Sequence, residues 1–168
     1  PNYIHGGVLR YITDHLDNFN DMFNGAINFN QSINSWNGSG INYVRSMANM
    51  FKNAISFNQH FASWTTPAVT NLEGMFNGAT SFNGSVSHFN VEKVTNMKNM
   101  FNGASSFNQR LNGWNYTGSV DLTGFLLGAT SFNTTNYSNL LNILYSQVSS
   151  GILNNNIRLD ASSYYSSS

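Results

Sequence analysis

Five alanines, Ala26, Ala54, Ala79, Ala104 and Ala129, recur at intervals of 28, 25, 25 and 25 residues. Three residues after each stands a phenylalanine (Phe29, Phe57, Phe82, Phe107, Phe132), followed at once by an asparagine (Asn30, Asn58, Asn83, Asn108, Asn133). A period between 20 and 50 residues marks a chain built by stacking copies of one small unit, because a single unit cannot bury its own apolar face. The fold class this predicts is an α/β repeat, a right-handed solenoid of about five coils of 25 residues. Short parallel strands are expected on one face and short helices on the other.

With the alanine as position zero, position −8 reads Asn18, Ser46, Asn71, Asn96 and Asp121, all side chains that accept a bond from the first turn of a helix. Position −1 reads Gly25, Asn53, Gly78, Gly103 and Gly128, the residues a left-handed helix end asks for. Between them the apolar positions are −7 (Phe19, Met47, Leu72, Met97, Leu122), −4 (Met22, Met50, Met75, Met100, Phe125) and −3 (Phe23, Phe51, Phe76, Phe101, Leu126). Spacings of three and four put them on one helical face. Position −10 (Leu16, Val44, Val69, Val94) extends that stripe until Ser119 interrupts it. So short a helix needs the neighbouring coil to hold it.

After the alanine, the segments Phe29 to Ile33, Phe57 to Phe61, Phe82 to Val86 and Phe107 to Leu111 read as short strands pairing in parallel from coil to coil. Trp36, Trp64, Phe89 and Trp114 then form a large apolar plug, which adds the three tryptophans to the phenylalanines as expected core. Gly38-Ser39-Gly40 accounts for the longer first interval, on a loop where insertion costs little. The asparagine beside each phenylalanine is expected to form a buried structural ladder through Asn30, Asn58, Asn83, Asn108 and Asn133.

The ends differ from the middle. Projected backwards, the period matches Ile4, His5, Val8 and Tyr11 to the phenylalanine, asparagine, isoleucine and tryptophan positions, so residues 1–15 read as a partial coil. Its outer edge calls for cover, from a further stretch of the native chain or from a partner. Residues 16–136 carry the five repeats. Residues 137–168 read as a C-terminal cap and Ser/Tyr tail: Tyr137, Leu140, Leu141, Leu144, Tyr145 and Val148 keep helical spacing behind a cap at Thr135 or Asn136, and Ile157 to Ala161 alternate as a strand.

Charge restricts function. Only 8% of the residues are charged, seven basic against seven acidic, which argues against a nucleic-acid partner because phosphate binding needs a basic face. No apolar run reaches the roughly 20 residues of a membrane span, and without cysteine there are neither disulfides nor thiolate metal sites. His5, His15, His60 and His88 are the candidates for proton transfer at neutral pH, but His60 and His88 fall at +6 and +9, which are not equivalent places in the repeat, and no catalytic triad, phosphate loop or zinc spacing appears. Asp14, Asp17 and Asp21 beside His15 read as a solvated face rather than a cation site. No catalytic residue, cofactor or metal is therefore assigned. Of the six glycosylation sequons, Asn37 and Asn115 lie on return loops, Asn30, Asn83 and Asn133 are expected to be inaccessible in the ladder, and Asn136 is the sixth.

The unit VTNMKNMFNGASSFNQRLNGWN (Val94 to Asn115) resembles the BspA-like leucine-rich-repeat surface proteins, and more narrowly the 25-residue repeat of mycoplasma lipoproteins. The likeness spans residues 16–136, and NYSNLL (Asn136 to Leu141) with IRLDASSYYS is similar to the segment closing many such arrays. The resemblance implies a leucine-rich-repeat-like solenoid at a cell surface, outside the cell or on a virion exterior, with no catalytic residues. The expected function is protein–protein adhesion or structural assembly within a larger chain or assembly, with a protein surface or neighbouring subunit as partner. A glycan-binding adhesin using exposed Tyr, Trp and Asn is the alternative, and a passive spacer the third reading.

Overall fold

Successive copies of the repeat lie side by side in a stack, and the hydrogen bonds between them follow the period of the sequence. The computed structural model describes residues 17–36, 39–116, 119–152 and 159. The partial coil at 1–15, the strand expected from Ile157 to Ala161 and the Ser/Tyr tail lie outside the described residues, except that Leu159 is half-buried against the core.

Where short helices were expected between positions −8 and −1, each coil instead runs through overlapping tight turns. In the second coil Met50 N bonds to Met47 O, Lys52 N to Asn49 O and Ala54 N to Phe51 O, each spanning three residues. The reason is a second left-handed residue. Position −5 (Asp21, Asn49, Gly74, Asn99, Gly124) has φ of 55–66°, and position −1 is left-handed in all five copies. Turns with a left-handed third residue need Gly, Asn or Asp there, and they break a helix after one turn. Every residue at −5 belongs to that set, so the signal stands in the sequence beside the one at −1.

These turns aim alternate N–H groups at the next coil. Positions −7, −5, −3 and −1 donate to the carbonyls at −8, −6, −4 and −2 one coil on, as in Met47 to Asn71 (3.0 Å), Asn49 to Glu73 (2.7 Å), Phe51 to Met75 (2.8 Å) and Asn53 to Asn77 (2.7 Å). The parallel pairing accordingly sits at position −8, where Asn18, Ser46, Asn71, Asn96 and Asp121 form a continuous series of bridges. It does not sit at the Phe-Asn-Gln segments, which carry no strand. There the backbone amides of Asn58, Asn83, Asn108 and Asn133 each meet a side-chain oxygen where a strand would offer a carbonyl.

The interior is a double column of rings. Phe29, Phe57, Phe82, Phe107 and Phe132 stack at 5.8–5.9 Å between centroids, within 11° of parallel. Phe23, Phe51, Phe76 and Phe101 form a second column at 5.3–5.7 Å. The two columns touch within each coil, for example Phe76 on Phe82 at 3.8 Å. Offset stacking adds to the area these rings bury. Trp64 and Trp114 are buried, and each indole donates to a carbonyl in the preceding coil, Ile33 at 3.2 Å and Val86 at 3.1 Å. Phe29 and Trp36, in the first described coil, are half-buried.

Helix α1, Thr134–Ser149, closes the far end. Its cap is Asn133, the last ladder residue, and not the expected Thr135 or Asn136. In extended conformation, Asn133 accepts from Asn136 N at 2.8 Å because no further coil competes for its oxygen. Leu140 and Leu144 are buried, whereas Leu141 and Tyr145 from the same expected stripe are exposed. The stack end is one coil wide, so only a narrow stripe meets it. Gln147 clamps the helix to the fourth coil, accepting from Tyr116 N and donating to Trp114 O.

Under this clamp the Tyr116 hydroxyl is buried with no hydrogen-bond partner among the described residues, and desolvation pushes its pKa far above the ordinary 10. Tyr116→Phe keeps the shape and removes the orphan, so it should raise stability by about 1 kcal/mol. A raised folded-state pKa gives a contribution that is complete below pH 10 and declines above it, as the unfolded chain ionises first. Thermal melts from pH 7 to 11 should therefore show a smaller alkaline loss in the variant. Equal losses in both proteins would refute the assignment.

Candidate functional site

The asparagine at +4 is held by the extended segment that follows each phenylalanine, and its oxygen points toward the next coil. Asn30 Oδ1 accepts from Asn58 N (2.9 Å), Asn58 Oδ1 from Asn83 N (2.8 Å), Asn83 Oδ1 from Asn108 N (2.9 Å) and Asn108 Oδ1 from Asn133 N (3.0 Å). Each rung is thus side chain to backbone. Neighbouring side chains clip the same oxygens: Gln59 on Asn30 (2.9 Å), Gln109 on Asn83 (2.8 Å) and Asn136 on Asn108 (2.9 Å).

The third copy has no such clip because Gly84 stands at its place. A Cβ there would come within 2.1 Å of Gln59 O, so only glycine fits beneath the preceding backbone.

The expectation that the ladder is buried is corrected. Asn30, Asn58 and Asn133 are exposed, and Asn83 and Asn108 half-buried. The ladder runs along the rim of the stack, one side of each amide facing backbone and the other facing solvent. Asn30 and Asn133 are therefore not screened as sequons by burial, whereas Asn136 is buried. Asn115 is exposed, and Asn37 lies outside the described residues.

At the α1 end the rim opens into a polar cleft of about 590 Å³, with Ser85, Ser87, Asn108, Arg110, Asn112 and Thr135 among its walls. Arg110 is the one charged group in that lining. The sequence pattern did not single out this cleft, which exists because α1 replaces a sixth coil. Amides, hydroxyls and one guanidinium can hydrogen-bond a polar partner. They offer no paired general acid and base.

Of the histidines, His60 and His88 are described, and both are exposed. His60 Nδ1 accepts from Ser85 N at 3.2 Å, a structural bond. His5, His15 and Asp14 lie outside the described residues. Among the described residues no cluster of three His, Cys, Asp or Glu could hold a metal ion, and no helix is long and apolar enough to cross a membrane.

Residues 4–66 and 40–140 match the family described as Mycoplasma protein of unknown function, DUF285. The two matches overlap and together span most of the chain, which belongs to this family. No curated protein and no solved structure matches it.

Proposed function

We propose that the chain is a non-catalytic repeat module of a surface or virion protein, mediating protein–protein adhesion or structural assembly. In this reading the stack is a right-handed, leucine-rich-repeat-like solenoid of the BspA-like kind, displayed outside the cell or on a particle. The observation that carries the function is the ladder rim. The oxygen of every rung is engaged inside the stack, while the Nδ2 groups of Asn58 and Asn83 have no partner among the described residues. A rim that repeats one donor once per coil suits an extended polar protein surface rather than one small ligand.

The glycan alternative loses its main aromatic platform, because Trp64 and Trp114 are core residues. Exposed Tyr43 and Tyr145, at 64% and 75% exposure, stand on different elements, Tyr43 at the end of the short 3-10 turn Ser39–Tyr43 and Tyr145 on α1.

Light scattering with small-angle X-ray scattering, beside a glycan array, tests the proposal. The expected result is a defined oligomer or cell-surface adhesion, lost in Ser87→Arg/Asn112→Arg at unchanged melting temperature, with no saturable glycan binding. A monomer that adheres to nothing would leave only the spacer reading and overturn the proposal.

A further inference from the structure

Six asparagines precede a glycine, the pairing in which the next backbone nitrogen meets least hindrance in attacking the asparagine side chain. Asn37-Gly38 lies outside the described residues. Three of the other five pairs stand at −2 and −1, where the junction bonds hold the glycine N–H: Gly25 to Lys52 O, Gly78 to Asn102 O and Gly103 to Leu127 O, each at 2.7 Å. The fourth pair, Asn83-Gly84, is held through its side chain. Asn83 Oδ1 accepts from Asn108 N at 2.9 Å and from Gln109 Nε2 at 2.8 Å, and Gly84 is buried beneath Gln59 O.

The fifth pair, Asn112-Gly113, escapes both restraints. Its residues are the middle two of a turn closed by Trp114 N on Leu111 O at 3.1 Å, and both are exposed. Neither the Asn112 side chain nor the Gly113 N–H has a partner among the described residues. The repeat explains why. Between the first two coils, Asn34 at +8 offers its Oδ1 to the Ser63 N–H of the coil that follows, at 3.2 Å. Asn112 stands at the same place, but α1 has replaced the coil that would use its oxygen. Gly113 corresponds to Ser63, but the coil before it carries Ser87 at +8, and that shorter side chain pairs with Ser85 Oγ at 3.1 Å.

We propose that Asn112 is a site of spontaneous modification, converting to aspartate or isoaspartate while the other four described Asn-Gly pairs stay intact. Gly113 N attacks Asn112 Cγ. The N–Cγ bond forms, the Cγ–Nδ2 bond breaks, and the displaced nitrogen leaves as ammonia with the Gly113 proton. Solvent water then hydrolyses the cyclic imide at either carbonyl, giving an α- or a β-linked aspartyl residue with no oxidant or cofactor. The product places a carboxylate in the cleft lining that Asn112 shares with Arg110, its one charged group. The β-linked form also adds a backbone carbon to the turn between the buried Leu111 and Trp114. The modification therefore changes both the charge of the cleft and the loop that shapes it.

The test incubates the full chain at mildly alkaline pH and follows each site by peptide mass mapping. The mass gain of an amide-to-acid exchange is expected at Asn112, at least about tenfold faster than at Asn24, Asn77, Asn83 and Asn102. In denaturant the five rates should approach one another, since the fold is what separates them. Gly113 is not left-handed, and a Cβ there meets nothing nearer than Ser87 O at 3.8 Å. Gly113→Ala should therefore keep the turn, hinder the attacking nitrogen and slow the conversion at least about tenfold. Ser87→Asn restores the acceptor that Asn34 provides, and should slow it about two- to tenfold, the rate equivalent of one hydrogen bond. Conversion at Asn112 no faster than at the four held pairs overturns the proposal. So does an unchanged rate in both variants, which would take the reaction away from the free Gly113 N–H.

Discussion

Trp64→Ala should destabilise the chain by about 3–5 kcal/mol, the cost of deleting a large buried ring from a core that can only partly collapse. Trp64 is fully buried, packs edge-on against Phe61 at 5.0 Å and lies 6.4 Å from Trp36. Its loss also orphans the Ile33 carbonyl that the indole satisfies. For a chain of this size the melting temperature should fall by roughly 6–20 °C. Thermal unfolding followed by circular dichroism measures it. A shift of under one degree, with adhesion abolished, would instead make Trp64 a contact residue and restore the carbohydrate reading.

The second large effect is expected at Asn108, where the ladder meets the cap. Its oxygen accepts from both Asn133 N and Asn136 Nδ2, and its backbone carbonyl accepts from Asn136 as well. Asn108→Ala leaves Asn133 N without its acceptor and Asn136 Nδ2 with the backbone carbonyl alone, at a half-buried site, costing about 1–3 kcal/mol. The same change at Asn30 should cost less, since Asn30 is exposed where Asn108 is half-buried. Adding Asn136→Ala to Asn108→Ala should cost little more, because the two groups share their bonds. Chemical denaturation of the single and double variants decides it. Fully additive losses would show that the two asparagines act independently.

The sequence displays the period, the columns of core residues and the place of the ladder openly, because each depends on side-chain type at a fixed spacing. The route of the backbone between those points was less legible. Six residues between a capping type and a glycine resemble one turn of helix, and Phe19, Met22 and Phe23 keep the same spacing in either geometry. The discriminating residue is −5, where Asp21, Asn49 and Asn99 look like ordinary polar helix residues until Gly74 and Gly124 are seen at the same place. The exposure of the ladder was hidden for another reason. An asparagine that bonds backbone through its oxygen has one composition whether its nitrogen meets protein or water. The cleft could not be read at all, since it depends on where α1 departs from the stack.

The direction shared by the coil-to-coil bonds has a mechanical consequence. These bonds lie along the stack, so tension applied between its two ends loads the junctions in series, while the four turn bonds within each junction share the load. Such a body should yield one coil at a time rather than stretch evenly. Each event would release the 25 residues of a repeat, roughly 80–90 Å of extended chain. In a tether anchored at both ends, that stepwise yielding would dissipate a sudden pull while the remaining coils stayed intact.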